Sequence, residues 1–355
     1  MRCLGLVLIG LLIALPAQAT RVLVQPFQTE EVAPGVFVIV SPDPLGLANH
    51  SNSAFIVTGD DVILIDTQFT RAFTTEVLGI VRDGSHRKIS VLINTHWHDD
   101  HTFGNQLVRV GNPNVEIIAT SQTKRDMAGI GVTNRKQQVA GAPEGLKFFQ
   151  ACVDSNKTVD GKPLSPQELA AYRSTIGIMG QYLAEQPQFE LTLPTKTFDD
   201  KLVLRRGQRA IEVRHLGPAV TDGDAVVWLP VERILIAGDI VDNPLPFAYR
   251  SNVNGWIAAL DEIKKLNPRI IVPGHGEIMR DMQGVDRLRA MLVSIRDQTN
   301  ASVANGDSLQ AVQAKIKIDD LRAGTVGTNR MLAFLFDDFF LKPAVASAFK
   351  EATGK

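Results

Sequence analysis

The chain has 355 residues, 45% of them apolar and 21% charged, with 37 basic against 38 acidic side chains. That is enough length and apolar content to bury a large core. The near-balance of charge excludes the strongly basic field that draws a protein onto nucleic acid, so no nucleic-acid partner is expected.

The first nineteen residues, "MRCLGLVLIGLLIALPAQA", open with Arg2, continue as an apolar run too short to span a bilayer comfortably and end in Ala17-Gln18-Ala19. This is the pattern of a secretory signal cleaved before Thr20. The expectation is an exported protein, periplasmic or secreted, with no stable membrane insertion after cleavage. Cys3 leaves with the signal. Cys152 then has no partner within the chain, and the fold cannot rest on an internal disulfide.

From Val22 to Thr67 short β-rich runs, "GVFVIV", "NSAFIVTG" and "VILIDT", are separated by Pro, Gly, Asn and Asp clusters that read as turns. Phe69, Phe73, Val77 and Ile80 recur at helical spacing, and "ISVLIN" follows as a buried strand. It runs straight into "THWHDDH", residues 95–101, so that cluster sits on a loop at a strand's C-terminal end. Residues 121–190 are more polar and read as a helical insertion. Within it "SPQEL" offers Ser165 as N-cap, Pro166 at the first helical position and Glu168 three residues past the cap. The stripe Tyr172, Ile176, Met179 and Leu183 behind it predicts a packing face.

Strand signals resume in "KLVLRR", "AIEVRHLG", "DAVVWLP" and "RILIAGDIV". Trp256, Leu260 and Ile263 predict a helix that stops at Asn267-Pro268. "RIIVPGHG" is a second buried strand running into a histidine-bearing loop. Beyond residue 280 helical spacing continues at Val285, Leu288, Leu292 and Ile295, and in "FLFDDFFL" Phe336, Phe339 and Phe340 predict one buried helix face. The expected division is a signal at 1–19, a main domain at 20–280 that includes the insertion 121–190, and a helical C-terminal extension at 281–355.

Three imidazoles and two carboxylates within seven positions are metal-ligand chemistry, because zinc favours imidazole and carboxylate donors and leaves a position open at catalytic sites. His96 and His98, two positions apart on an extended segment, can aim at one point, while Asp100 and His101 can turn toward a second. Asp239 in "AGDIVD" and His275 in "PGHG" each follow an apolar strand, as the first cluster does.

At these residues the chain resembles the metallo-β-lactamase superfamily of hydrolases, over roughly residues 30–280. The resemblance implies an α+β fold, a four-layer αββα sandwich with the site at one edge. It implies a first metal position with His96 and His98, a second with Asp100, His101 and His275, and Asp239 bridging the two. Asp66, ending "VILID", matches an acidic residue that supports the ligand loop by hydrogen bonding. "HLGPAVTDGDAVVWLP" looks like the family segment that reads G-x-x-H-T-x-G-D, with Val220 where the histidine belongs.

An isopropyl group donates nothing to a cation, so one or two zinc ions are expected, one favoured, with another divalent transition metal as an alternative. His215, Asp222 and Asp224 are the residues near enough in sequence to compensate, unless they serve as a strand-end histidine and turn carboxylates. His50 and His86 read as ordinary loop histidines. The implied reaction is hydrolysis of an ester, thioester, lactone or amide of a small molecule, with Asp100 orienting the water, and no G-x-S-x-G elbow suggests a covalent route. Asp239 resembles the bridging carboxylate of glyoxalase-II-like and lactonase-like members. A catalytically degenerate accessory protein of the same fold is the alternative expectation.

Overall fold

The computed structural model describes residues 27–41, 50–158 and 161–354. The signal-like segment 1–19 and most of the loop "PDPLGLANH" lie outside the described residues.

Strands β1 (Gln28–Ala33), β2 (Val36–Val40), β3 (Ser53–Val57) and β4 (Val62–Ile65) form an antiparallel meander. The sheet continues, now parallel, after α1 (Arg71–Ser85) with β5 (Ile89–Ile93). The short helices α2 (Asp99–Thr102) and α3 (Asn105–Gly111) lead to β6 (Glu116–Thr120). Three helices follow, α4 (Ser121–Ala128), α5 (Ile130–Ser155) and α6 (Pro166–Glu185), before β7 (Lys196–Phe198) closes a seven-stranded sheet in chain order. The second sheet takes β8 (Lys201–Arg206), β9 (Arg209–His215), β10 (Ala225–Leu229) and β11 (Ile234–Gly238) as antiparallel neighbours. After α7 (Val253–Leu266), β12 (Ile270–Pro273) joins β11 in parallel. The chain ends in α8 (Gln283–Ala304), α9 (Leu309–Lys315), α10 (Asp319–Val326), α11 (Arg330–Leu335), a π-helical turn Phe336–Leu341 and α12 (Lys342–Thr353).

The alternation of the strands explains the layering. One face of each sheet, with Val36, Val38, Ile63, Ile65, Val91 and Ile93 on the first and Ile211, Val213, Val227, Leu229, Ile234 and Ile236 on the second, meets in a shared core. The opposite faces need their own cover. Phe55, Leu64 and Leu92 pack beneath Val77 and Val81 of α1, while Trp228, Leu235 and Ile271 pack under Trp256, Leu260 and Ile263 of α7. The result is the expected αββα sandwich. Val285, Leu288, Leu292 and Ile295 of α8, with Ala344, Val345 and Ala348 of α12, join that same outer cluster, so the C-terminal helices complete a layer of the sandwich.

Local signals are realised with two corrections. Ser165 and Glu168 form a full capping box at the start of α6, with Pro166 behind the cap. The buried face of α6, however, is Tyr172, Thr175, Ile178 and Tyr182; Ile176, Met179 and Leu183 are only half-buried. The helix is rotated because its inner face meets two elements, Tyr172 the C-terminal Met331 and Leu335, and Tyr182 the ring of Phe69. The late aromatic run also divides: Phe336 and Phe340 are fully buried, whereas Phe339 is half-buried and faces a cavity. Cys152 is buried against Leu164 and Tyr172. Among the described residues no helix is long and apolar enough to cross a membrane.

Candidate metal centre

Four strand ends deliver the donors. Asp66 follows β4, the residues 95–101 follow β5, Asp239 follows β11 and His275 follows β12. Parallel pairing of β4 with β5 and of β11 with β12 makes these ends coincide at one edge of the sandwich.

Asp66 holds the first loop in shape. In a left-handed backbone conformation, φ 57°, it accepts from Thr95 N at 2.8 Å, from Thr95 Oγ1 at 2.7 Å and from His101 Nδ1 at 2.9 Å. The support expected of Asp66 is therefore present. Because the single Thr95 hydroxyl proton goes to Asp66, Thr95 Oγ1 accepts from His96 Nδ1 at 3.0 Å. Both His96 and His101 are thus tied through Nδ1, which leaves their Nε2 lone pairs aimed inward.

Those lone pairs face the carboxylate of Asp239, which divides its oxygens between two groups. Oδ2 lies 3.3 Å from His96 Nε2 and 3.6 Å from His98 Nδ1; Oδ1 lies 3.0 Å from His101 Nε2 and 3.6 Å from His275 Nε2. Asp100 Oδ2 lies 3.1 Å from His275 Nε2 and 3.6 Å from His101 Nε2. His96 Nε2, His101 Nε2 and Asp239 Oδ1 are buried without a well-aligned hydrogen bond. Ring nitrogens and carboxylate oxygens converging in a dry site need a cation between them, a proton or a metal ion. The donor set fits a divalent metal: His96, His98 and Asp239 form one possible ligand group, and Asp100, His101 and His275 another, each with its donor atoms within 4.8 Å of one another.

Where no metal shields these charges, the groups perturb one another strongly. Burial opposes charging of His101, yet the carboxylates of Asp239, Asp100 and Asp66 hold its pKa well above the usual histidine range. Burial acts on His275 the same way and is outweighed by Asp239 and Asp100, which push it up to about 10. For Asp239 burial is overcome by His101, His96 and His275, which keep it well below the carboxylate range. Asp100 is lowered to about 2 by His101 and His275 against the same opposition.

Three residues near the centre escaped sequence reasoning. Asp242, three residues past Asp239, accepts from His275 N at 3.1 Å and forms a third possible ligand group with Asp239 and His275. Burial and the charge of Asp239 push its carboxyl well above the usual range. His50 is no ordinary loop histidine. It is buried against Phe73 and lines the cavity at the centre with both ring nitrogens unpartnered among the described residues, and burial, aided by His275, lowers it to about 4, so the ring is neutral at pH 7. Asp99, between two ligand residues, accepts from Arg135 of α5 at 2.6 Å and from the Tyr182 hydroxyl of α6 at 3.1 Å. Through it the inserted helices clamp the ligand loop.

His215, Asp222 and Asp224 are committed elsewhere or turned to solvent. His215 Nδ1 donates to the Asp224 carbonyl at 2.8 Å, Asp224 accepts from Ala219 N, Thr221 N and Thr221 Oγ1, and Asp222 is exposed. None belongs to a possible ligand group among the described residues. Val220 is fully buried in the apolar cluster that includes α7. The second loop is held as closely as the first: a Cβ on Gly274 would meet Asp239 Oδ1 at 2.1 Å, and Gly276, φ 84°, would meet Asn243 O at 1.6 Å.

A sequence model of the metallo-β-lactamase superfamily matches residues 47–275, more than half of the chain. The chain belongs to that superfamily. It is similar to a linear primary-alkylsulfatase of Pseudomonas sp. (strain ATCC 19151), 23% identical over 287 residues, which are 75% of this chain and 49% of that protein. It is also similar to a type 2 metallo-β-lactamase of Bacteroides fragilis, 24% identical over 233 residues, covering 64% and 69% of the two chains. This superfamily member therefore spans about half the length of the alkylsulfatase. Among solved structures, the sec-alkylsulfatase Pisa1 from Pseudomonas sp. superposes with a TM-score of 0.64 at 15% identity over 92% of this chain and 50% of that one. DIM-1 metallo-β-lactamase superposes with a TM-score of 0.50 at 18% identity over 76% and 98%. At these identities the superpositions speak for the fold, and the chain is a hydrolase-family member with a buried His and Asp cluster of metal-site character.

Proposed function

We propose that the protein is an exported, zinc-dependent hydrolase of a small-molecule ester, thioester, lactone or amide. One observation carries the reading: two histidines braced at Nδ1 turn unpaired Nε2 atoms toward a shared, buried Asp239. When bound, a zinc ion supplies Lewis acidity toward the group under attack and hydroxide at neutral pH. The chain's own part is positional. Asp100, ionised throughout the physiological range, accepts a hydrogen bond from the attacking water, and Asp66 and Asp242 hold His101 and His275 in place through side chain and backbone.

We further propose that Val220 stands where relatives place a histidine ligand. The His96 and His98 side then keeps only Asp239 as a third ligand, and one ion is held on the Asp100, His101, Asp239 and His275 side. Elemental analysis of the purified protein and of Val220→His tests this. The expected result is one ion per chain, rising toward two in the variant; two ions in the native chain would overturn it. Turnover is followed on esters, thioesters, lactones, amides, β-lactams and, because of the alkylsulfatase relative, alkyl sulfate esters. Metal without turnover on any of these favours the rival reading that Val220 motivates, an accessory protein that binds without catalysing. Export predicts a mature N-terminus at Thr20 in the periplasmic or culture fraction, read by mass spectrometry.

A further inference from the structure

The cavity at the metal centre has a volume of about 370 Å³ and a mixed lining: Asp100, Asp239, His275 and His50 line it, and so do Asn134, Gln138 and Arg250. One continuous part of the lining is apolar and aromatic, and it begins at a ligand residue. The His98 ring meets Phe247 edge-on at 5.8 Å, Phe247 lies 5.1 Å from Tyr249 and 5.9 Å from Phe339, and Leu332 completes the wall.

Two segments far apart in sequence build it. Phe247 and Tyr249 belong to the loop after β11, and Leu332 and Phe339 to the C-terminal helices. A backbone hydrogen bond from Ala248 N to Phe339 O, 2.9 Å, fastens one to the other. The π-helical turn Phe336–Leu341 explains how Phe339 comes to face the cavity. One extra residue in the turn rotates the side chains that follow, so Phe336 and Phe340 stay in the core while Phe339 faces the cavity. Tyr249 is 47% exposed. Aromatic surface left open beside reactive groups, in a cavity of ligand size, is surface waiting for a ligand.

We infer that this wall selects the substrate: the molecule hydrolysed carries an apolar chain beside the scissile bond, and Phe247, Tyr249 and Phe339 bind that chain. The inference rests on the hydrolase reading. It names the occupant because the wall is continuous with the ligand residues, so that a molecule whose polar head reaches Asp100 lays its neighbouring atoms on Phe247. It also makes the C-terminal extension a part of the site, with Phe339 as a specificity-determining residue.

The test has a binding arm and a turnover arm, both on the full chain loaded with zinc. Calorimetric titration with linear alkanoates from butyrate to decanoate is expected to show affinity rising by about fourfold per methylene until the wall is covered. Phe339→Ala and Tyr249→Ala should flatten that slope, Phe339→Leu should retain most of it, and Phe334→Ala, exposed on the same C-terminal region, should leave it as it is. In the turnover arm, kcat/KM for 4-nitrophenyl esters should rise with acyl length in the native protein and lose that rise in Phe339→Ala. Chain-length dependence in binding with no ester turned over would keep the wall and remove the hydrolase reading. Turnover with no chain-length dependence in either arm, or an equal slope in Phe339→Ala, would overturn the wall and leave hydrolysis standing.

Discussion

The two oxygens of Asp239 look onto unequal halves of the same centre. On the Oδ1 side stand two histidines and a second carboxylate, with His101 gripped by Asp66 and His275 fixed through its backbone by Asp242. On the Oδ2 side His96 and His98 share Asp239 with no second carboxylate in their possible ligand group among the described residues, and the fully buried Val220 contributes only packing. The Oδ1 side carries more negative charge and more bracing, and both favour a tightly held divalent ion. An arrangement that looks symmetrical in its histidines is asymmetrical in its charge.

The largest effect should come from removing the shared residue. Asp239→Asn takes a charge from both halves at once and is expected to empty the protein of metal, measured as ions per chain, and to abolish turnover. Next, His275→Ala should remove the tightly held ion, while His96→Ala should lower metal content less; equal losses would show the halves to be equivalent. Asp66→Asn leaves every ligand in place but weakens the charged acceptor behind His101 Nδ1. It should cost about 10- to 100-fold in metal affinity in a competition titration with a chelator. An unchanged affinity would mean that His101 needs no such support.

The smallest effect concerns Asp224, under the valine-bearing segment. Burial raises its pKa from 3.8 to about 7, although Thr221 donates two hydrogen bonds to it. The folded state therefore binds a proton that the unfolded state releases near pH 4. This contribution to stability is fully present below the unfolded pKa and is lost as pH rises toward 7, at most roughly 4 kcal/mol. Asp224→Asn, which carries no such charge, should flatten the fall in denaturation midpoint between pH 4 and 7. A fall of the same size in the variant would assign it to other groups.

What was legible in the sequence follows the same division between local and distant causes. His96, His98, Asp100 and His101 lie within six positions, and Asp239 and His275 each end an apolar strand, so periodicity and residue type together located them. The capping box at Ser165 is equally local. His50 and Asp242 belong to no spacing rule: Asp242 acquires its role only when the neighbouring ends of β11 and β12 bring it to His275, and His50 only when the chain folds its loop over the centre. Helical spacing places Phe339 in the core with Phe336 and Phe340, and no composition signal announces a π-helical turn. The rotated face of α6 fails for a related reason: helical spacing finds a stripe, but the two neighbours that a helix packs against decide which stripe is buried.

The link between Ala248 and Phe339 has a consequence for how such a protein can change its diet. It joins main-chain atoms only, so any residue at position 339 keeps the two segments fastened. On the proposed role of Phe339, evolution or an engineer retunes which molecules fit by exchanging one side chain near residue 340, leaving the His and Asp cluster and its glycine-tight backbone untouched.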